Sequence, residues 1–321
     1  MNVMENESNA HRAICALIEG AEKIIRIRRD FLELFTACIL AKGHVLLEDN
    51  PGCGKTSVAK TFAALLGDES SVRFKRIQFT PDLLPYDITG VDVFDPESRS
   101  FRFVPGPVLS NVVLADEINR TSPKVQSALL EVMAERQVTI GNSSHKTPKP
   151  FFVIATQNPI ESEGTFPLPA AQLDRFMIKL SLGYPERDAE ISILNDNPAE
   201  NALLKLKPVI SVDAFLALQD AVDHIFCHPL LKEAIVDIVR ETRTERTFVL
   251  GASPRAALHL LSLSQALALV RGRSYVIDED IVNLAGPALA HRLKIRDAKS
   301  DVSKMIRELA LEKIGRIKNL S

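Results

Sequence analysis

The chain has 321 residues, of which 46% are apolar and 25% charged, with a formal net charge of -2. That composition belongs to a globular protein with room for about two domains at roughly 100–200 residues each, and its balanced charge gives no global electrostatic case for a nucleic-acid or membrane partner. No run approaches the ~20 uninterrupted apolar residues of a membrane span; Glu5, Glu7 and His11 stand where a secretory signal would need a basic start and an apolar core, so a cytoplasmic location is expected.

Residues 1–42 are helical by pattern, with Ile14, Leu17, Ile18, Ala21, Ile24 and Ile25 close to 3.6-residue spacing. From residue 43 to about 185 the texture is different. Short apolar runs at Val45–Leu47, Arg73–Phe79, Val112–Leu114, Phe151–Ala155 and Met177–Leu180 alternate with helical stretches at Thr56–Leu66 and Pro123–Arg136. Such runs, bounded by turn residues, read as buried parallel strands of an α/β sheet. Two hairpin patterns interrupt them. One spans about 80–108, with Val91–Phe94, a turn at Asp95-Pro96, and Phe101–Val104; the other spans about 137–150, turning at Gly141-Asn142. In the first, the alternation of Phe101, Arg102 and Phe103 would put both aromatics on one face.

After Tyr184-Pro185 the strand signals stop. Amphipathic helices are expected at Val212–Ile225, Leu230–Thr242, Pro254–Val270, Asp278–Leu289 and Val302–Ile317, making residues 186–321 an all-helical lid. Ser253 before Pro254, and Asp278 before Glu279, supply N-cap and first-turn signals. Cys15, Cys38, Cys53 and Cys227 are scattered without a C-x-x-C pair, so free thiols are expected. His224 and His228 lie four apart, but Pro229 argues for a helix end there rather than a metal site.

The chemistry concentrates in Asn50-Pro51-Gly52-Cys53-Gly54-Lys55-Thr56, followed by Ser57, between an apolar strand and a helix. In that context a glycine-rich loop turns consecutive N–H groups onto phosphate oxygens, aided by the positive end of the helix. Lys55 would reach the β- and γ-phosphates of ATP, and the Thr56 hydroxyl would bind Mg²⁺. The motif departs from G-x-x-x-x-G-K-[ST] at its first position, which is Asp49. A carboxylate beside a triphosphate is unfavourable unless its side chain faces away, so nucleotide binding is expected to be weakened but retained. A second motif, Val112-Val113-Leu114-Ala115-Asp116-Glu117, ends a strand in two carboxylates. It would set Asp116 opposite the metal and leave Glu117 to polarise the attacking water.

Gln78-Phe79-Thr80-Pro81-Asp82-Leu83-Leu84-Pro85, Asp116-Glu117-Ile118-Asn119-Arg120, Ala155-Thr156-Gln157-Asn158-Pro159, Ala171-Gln172-Leu173-Asp174-Arg175-Phe176 and Gly251-Ala252-Ser253-Pro254-Arg255 closely resemble the MoxR family of AAA+ ATPases, over about residues 42–293. The resemblance implies an α/β P-loop AAA+ core, with a parallel sheet flanked by helices, followed by the helical lid. It makes residues 80–108 a helix-2 insert and 137–150 a pre-sensor-1 hairpin. It implies that Asn158 is sensor 1, that Arg175 is an arginine finger acting on the neighbouring subunit, and that Arg255 is sensor 2. The implied assembly is a homo-oligomeric, hexameric ring. The implied role is chaperone-like maturation of protein complexes, with a protein client or a von Willebrand factor A domain protein as partner and nucleic acid not expected. A metal-chelatase motor subunit would use the same site. An ATP-sensing scaffold with little turnover is the reading that Asp49 favours.

Overall fold

The computed structural model describes residues 3–49, 52–67, 70–158, 164–196, 203–297 and 300–318. Two helices lead, α1 (Val3–Glu22) and α2 (Arg29–Leu40), and the face from Ile14 to Ile25 anticipated from helical spacing is buried. There follow β1 (Val45–Glu48), α3 (Lys55–Leu66), β2 (Phe74–Gln78), α4 (Pro85–Thr89), the hairpin β3 (Gly90–Asp95) and β4 (Ser100–Pro105), and β5 (Val112–Asp116). Next come α5 (Pro123–Glu135), the hairpin β6 (Gln137–Ile140) and β7 (Ser143–Lys146), β8 (Phe152–Gln157), the short α6 (Ala170–Leu173) and β9 (Ile178–Leu180). The C-terminal part holds α7 (Arg187–Asp196), α8 (Val212–Val222), α9 (Pro229–Thr244), β10 (Phe248–Leu250), α10 (Pro254–Val270), α11 (Asp278–Leu289), β11 (Lys294–Ile295) and α12 (Val302–Lys318).

The five strands expected from apolar runs form one parallel sheet in the order β2-β5-β8-β1-β9. The inner strands β1, β5 and β8 read as apolar runs because both faces are covered there, whereas the edge strand β2 exposes Lys75, Arg76 and Gln78. Val45, Leu47, Val112, Leu114 and Ile154 face the core shared with α1, α2, α3 and the C-terminal helices. Leu46, Val113, Ala115, Val153 and Ala155 face a second core closed by α5. Gln78 pairs with Asp116, and Glu48 with Gln157, so the carboxyl ends of β1, β2, β5 and β8 finish at one edge. Chain order reverses around β1, and doubly wound sheets bind ligands outside such an edge.

His44, just before β1, braces the sheet. The Val153 N–H donates to its Nδ1 at 2.9 Å, so the ring proton sits on Nε2, which lies 3.1 Å from Met133 O. Burial first, then Arg136, holds its pKa down at about 3.

Two expectations change in detail. The C-terminal part is not purely helical: β10 and β11 form a two-stranded antiparallel ribbon. Strands of three and two residues are too short to carry an alternation signal. His224 and His228 fall outside any helix, because Pro229 opens α9 instead of ending a helix. His228 is its N-cap, accepting from the Leu230 N–H at 3.3 Å. Ser253 caps α10 as anticipated, whereas α11 is capped by the buried Asp280, which accepts from the Ile277 N–H at 3.0 Å. The four cysteines are free.

Both hairpins stand off the sheet, and one aromatic contact joins them. Phe103 on β4 stacks on His145 of β7 with ring centroids 3.7 Å apart. The register puts Phe94, Phe101 and Phe103 on one face of β3–β4, opposite Arg102. Phe101 is 71% exposed and meets only the edge of Phe94 among the ring contacts, so it does not pack into the hairpin's base.

Candidate functional site

The glycine-rich loop leaves β1 and enters α3 at Lys55. Asn50 and Pro51 lie outside the described residues. Gly52 and Gly54 adopt φ of +86° and +84°, a region that a side chain would strain. A Cβ built on either would meet nothing within 4 Å. The glycines therefore border open space that side chains would fill. That space belongs to a cavity of about 970 Å³, lined on the loop side by Gly52, Cys53, Gly54 and Ser57. Residues 24–29, from the turn between α1 and α2 to the start of α2, and residues 181–186, between β9 and α7, close the other sides. Lys55 Nζ donates to Asp49 O at 2.6 Å, which leaves two of its three donors for an anion.

Asp49 itself turns from the loop. Its carboxylate, on a residue only 7% exposed, accepts from Ser181 Oγ, Leu182 N and Gly183 N at 2.6, 2.8 and 3.1 Å.

At the end of β5, Asp116 is buried and Glu117 half-buried. Thr156 on β8 fixes both. Its hydroxyl donates to Asp116 Oδ1 at 2.6 Å and accepts from the Glu117 N–H at 2.8 Å. Glu117 has φ 57° and ψ 50°, a left-handed conformation that costs a non-glycine residue of order 1–3 kcal/mol. The bond from its N–H to Thr156 helps hold that turn, which swings the Glu117 side chain off the strand axis. Arg76 donates to Asp116 Oδ2 from Nε at 3.0 Å and from Nη2 at 2.6 Å. Gln78 Nε2 and Arg120 Nη1 donate to Glu117 Oε2 at 2.7 and 3.0 Å. Sequence reasoning assigned no role to Arg76, Gln78, Arg120 or Thr156. The available signal lies in β2, where Arg76 and Gln78 alternate with the buried Ile77 on a strand otherwise read as apolar.

Asn158 is buried one residue beyond β8, beside the strand that leads into the loop; Pro159 lies outside the described residues. Arg175, after α6, donates from Nη1 to Leu130 O on α5 at 3.0 Å and does not line the loop cavity. Arg255 is exposed in the first turn of α10 and lines a second cavity of about 440 Å³ with Asp174, Ser253 and Arg292. There the buried Arg292 pairs with Asp174 at 2.9 Å, and Ser253 Oγ donates to the same carboxylate, joining the C-terminal part to the residue before Arg175. Burial lowers the Arg292 pKa to about 10, and desolvation holds that of the half-buried His259 at about 3. The two arginines therefore stand apart from the loop cavity within one chain.

The residues present fit a magnesium nucleotide: open space over left-handed glycines, an ammonium with free donors, a helix start, and hydroxyl and carboxylate oxygens suited to a hard cation. Among the described residues no helix is long and apolar enough to cross a membrane.

Comparison with known proteins places the fold in a family. Residues 44–178 match the ATPase family associated with various cellular activities (AAA), and residues 240–309 match the AAA lid domain. The chain is 46% identical to YeaC of Bacillus subtilis, over 91% of this chain and 90% of that protein. It is 40% identical to the chaperone MoxR1 of Mycobacterium tuberculosis, over 92% of this chain and 81% of that protein. A crystal structure of a Cytophaga hutchinsonii protein superposes with a TM-score of 0.87 at 35% identity, covering 97% of this chain and 96% of that one. With an α/β AAA+ core, a lid and relatives matched over most of their length, the chain belongs to the MoxR family of AAA+ ATPases.

Proposed function

We propose that this protein binds Mg·ATP in the loop cavity, hydrolyses it to ADP and phosphate within a hexameric ring, and uses the cycle for chaperone-like maturation of protein complexes. Lys55 would bind the β- and γ-phosphates, with Gly52, Cys53 and Gly54 turning their N–H groups inward and Ser57 following in the helix. Thr56 and Asp116 would hold the metal, which when bound supplies positive charge against the phosphate oxygens. Glu117 would orient water and accept its proton, and Asn158 would steady that water. Arg175 would act on the site of the adjacent subunit, and Arg255 would couple the lid to the nucleotide.

One observation carries the reading. Asp116 and Glu117 are stapled together by Thr156 at the same sheet edge from which Lys55 and Thr56 open the helix, beside a cavity of nucleotide size. The feature that would favour an ATP-sensing scaffold is Asp49, and its carboxylate is engaged by residues 181–183. A metal-chelatase motor would share the site, and only its partner would tell it apart. The chaperone role draws support from the name of MoxR1, a chaperone, and a client or von Willebrand factor A domain partner is proposed on the family resemblance alone.

The test is phosphate release with and without Mg²⁺ over a range of protein concentrations, with mass by light scattering. Magnesium-dependent turnover per subunit that rises as a sixfold assembly forms is expected. ATP binding without phosphate release would replace this reading with the scaffold.

A further inference from the structure

Asp49 occupies a position that the phosphate-loop motif reserves for glycine, yet none of its polar atoms is idle. Its N–H donates to Gln157 O at 3.4 Å at the end of β8, and its carbonyl accepts from Lys55 Nζ at 2.6 Å. Its carboxylate gathers the Ser181 hydroxyl and the N–H groups of Leu182 and Gly183. Gly183 has φ +69°, so these consecutive N–H groups form a concave backbone nest, of the kind that binds anions. Here the anion is a side chain of the protein itself.

The position of the nest gives the contact meaning. β1 and β9 pair in parallel up to Leu47 and Leu180, and Asp49 with residues 181–183 continues that alignment through a side chain after the ladder ends. The nest lies on the only covalent path from β9 to α7, and residues 181–186 form one wall of the loop cavity. With glycine at position 49, the Leu182 N–H would lose its acceptor in a buried place, and the linker would lose its anchor.

We propose that Asp49 is a positioning residue that fastens the core-to-lid linker to the phosphate loop, so that residues 181–186 stand as a fixed wall of the nucleotide cavity. This rests on the reading of that cavity as the ATP site. The linker wall is then set before nucleotide arrives, and Lys55, bonded to the carbonyl of the same residue, ties the phosphate contact to the start of the lid.

Hydrogen–deuterium exchange on nucleotide-free protein, together with titration of a fluorescent ATP analogue, tests the proposal on Asp49→Ala, Asp49→Asn and Ser181→Ala. For Asp49→Ala, exchange across 181–186 should quicken at least tenfold while peptides from β5 and β8 keep their protection. Its ATP affinity should fall at least fivefold. Asp49→Asn retains an acceptor oxygen and should lie between wild type and alanine on both readouts. Ser181→Ala removes one bond of three, should move both readouts the same way by about two- to threefold, and decides the matter if Asp49→Ala does not fold. Unchanged exchange at 181–186 overturns the anchor; quickened exchange with unchanged ATP affinity overturns its role in the cavity. Wild-type protein that binds no ATP would instead remove the ATP reading, while the exchange comparison still judges the anchor.

Discussion

Arg76 closes on Asp116 with two donors, Nε at 3.0 Å and Nη2 at 2.6 Å, both on Oδ2, while Thr156 holds Oδ1 at 2.6 Å. The carboxylate proposed for the metal is thus engaged on both oxygens, and a cation must displace or share the arginine. Arg76 is about half exposed, so the pair is screened and worth only about 0.2–1 kcal/mol. Arg76→Ala should therefore lower the Mg²⁺ concentration needed for half-maximal ATP turnover by about 1.4- to fivefold. An unchanged or higher requirement would mean that Arg76 does not compete with the metal.

The proposed finger gives a prediction about assembly. Within its own chain Arg175 donates to Leu130 O, and its proposed target is the site of the adjacent subunit. Arg175→Ala and Glu117→Gln should each be inactive alone. Mixed rings should recover measurable turnover, because some interfaces pair an intact Glu117 with an intact Arg175. Absence of recovery in rings shown to be mixed would exclude action in trans.

The hairpins supply a separable test. In the β3–β4 tip, Asp95 accepts from the Glu97 N–H and the Ser98 hydroxyl, and nothing from the sheet is involved. Replacing residues 97–99 by a Gly-Ser turn should leave basal ATPase and ring size within about twofold, since loop tips tolerate such exchange. Client-dependent activity should be lost if the tip is a contact surface. Retained client maturation would move that surface to residues 137–150.

Much of this was legible in the residues. The inner strands β1, β5 and β8 are legible because a parallel sheet covered on both faces needs apolar runs, and Lys55 and Asp116 stand in recognisable motifs. What stayed hidden depends on register. Thr156 matters because β8 lies beside β5, and Gln78 because β2 ends level with Asp116; neither adjacency has a local pattern. The destination of the Asp49 carboxylate, 132 residues away at Ser181, likewise has no local trace. The lid ribbon escaped notice because two or three residues cannot show a period.

Histidines held neutral in the fold predict acid sensitivity. The pKa values of His44 and His259 are lowered to about 3, and that of His291 well below normal, each chiefly by burial. As pH falls below about 6.5, the unfolded chain takes up protons that the folded chain refuses, so stability falls with pH until the folded histidines titrate. The effect should approach about 1.4 kcal/mol per pH unit for each fully buried ring. Urea unfolding between pH 7 and pH 4 should show this slope, and His44→Asn should flatten it by about one proton. A slope unaltered in a folded His44→Asn protein would show that His44 is not held neutral.

The central claim is that Lys55 binds phosphate whereas Glu117 acts on water, and calorimetric titration of ATP with Mg²⁺ into two variants tests it most directly. Lys55→Ala should lose most ATP binding. Glu117→Gln, which keeps the shape of the side chain and one acceptor oxygen but not its charge, should bind ATP within about threefold of wild type and release phosphate at least a hundredfold more slowly. Equal loss of ATP binding in both variants would contradict the account, because Glu117 would then belong to the binding site and not to the chemistry.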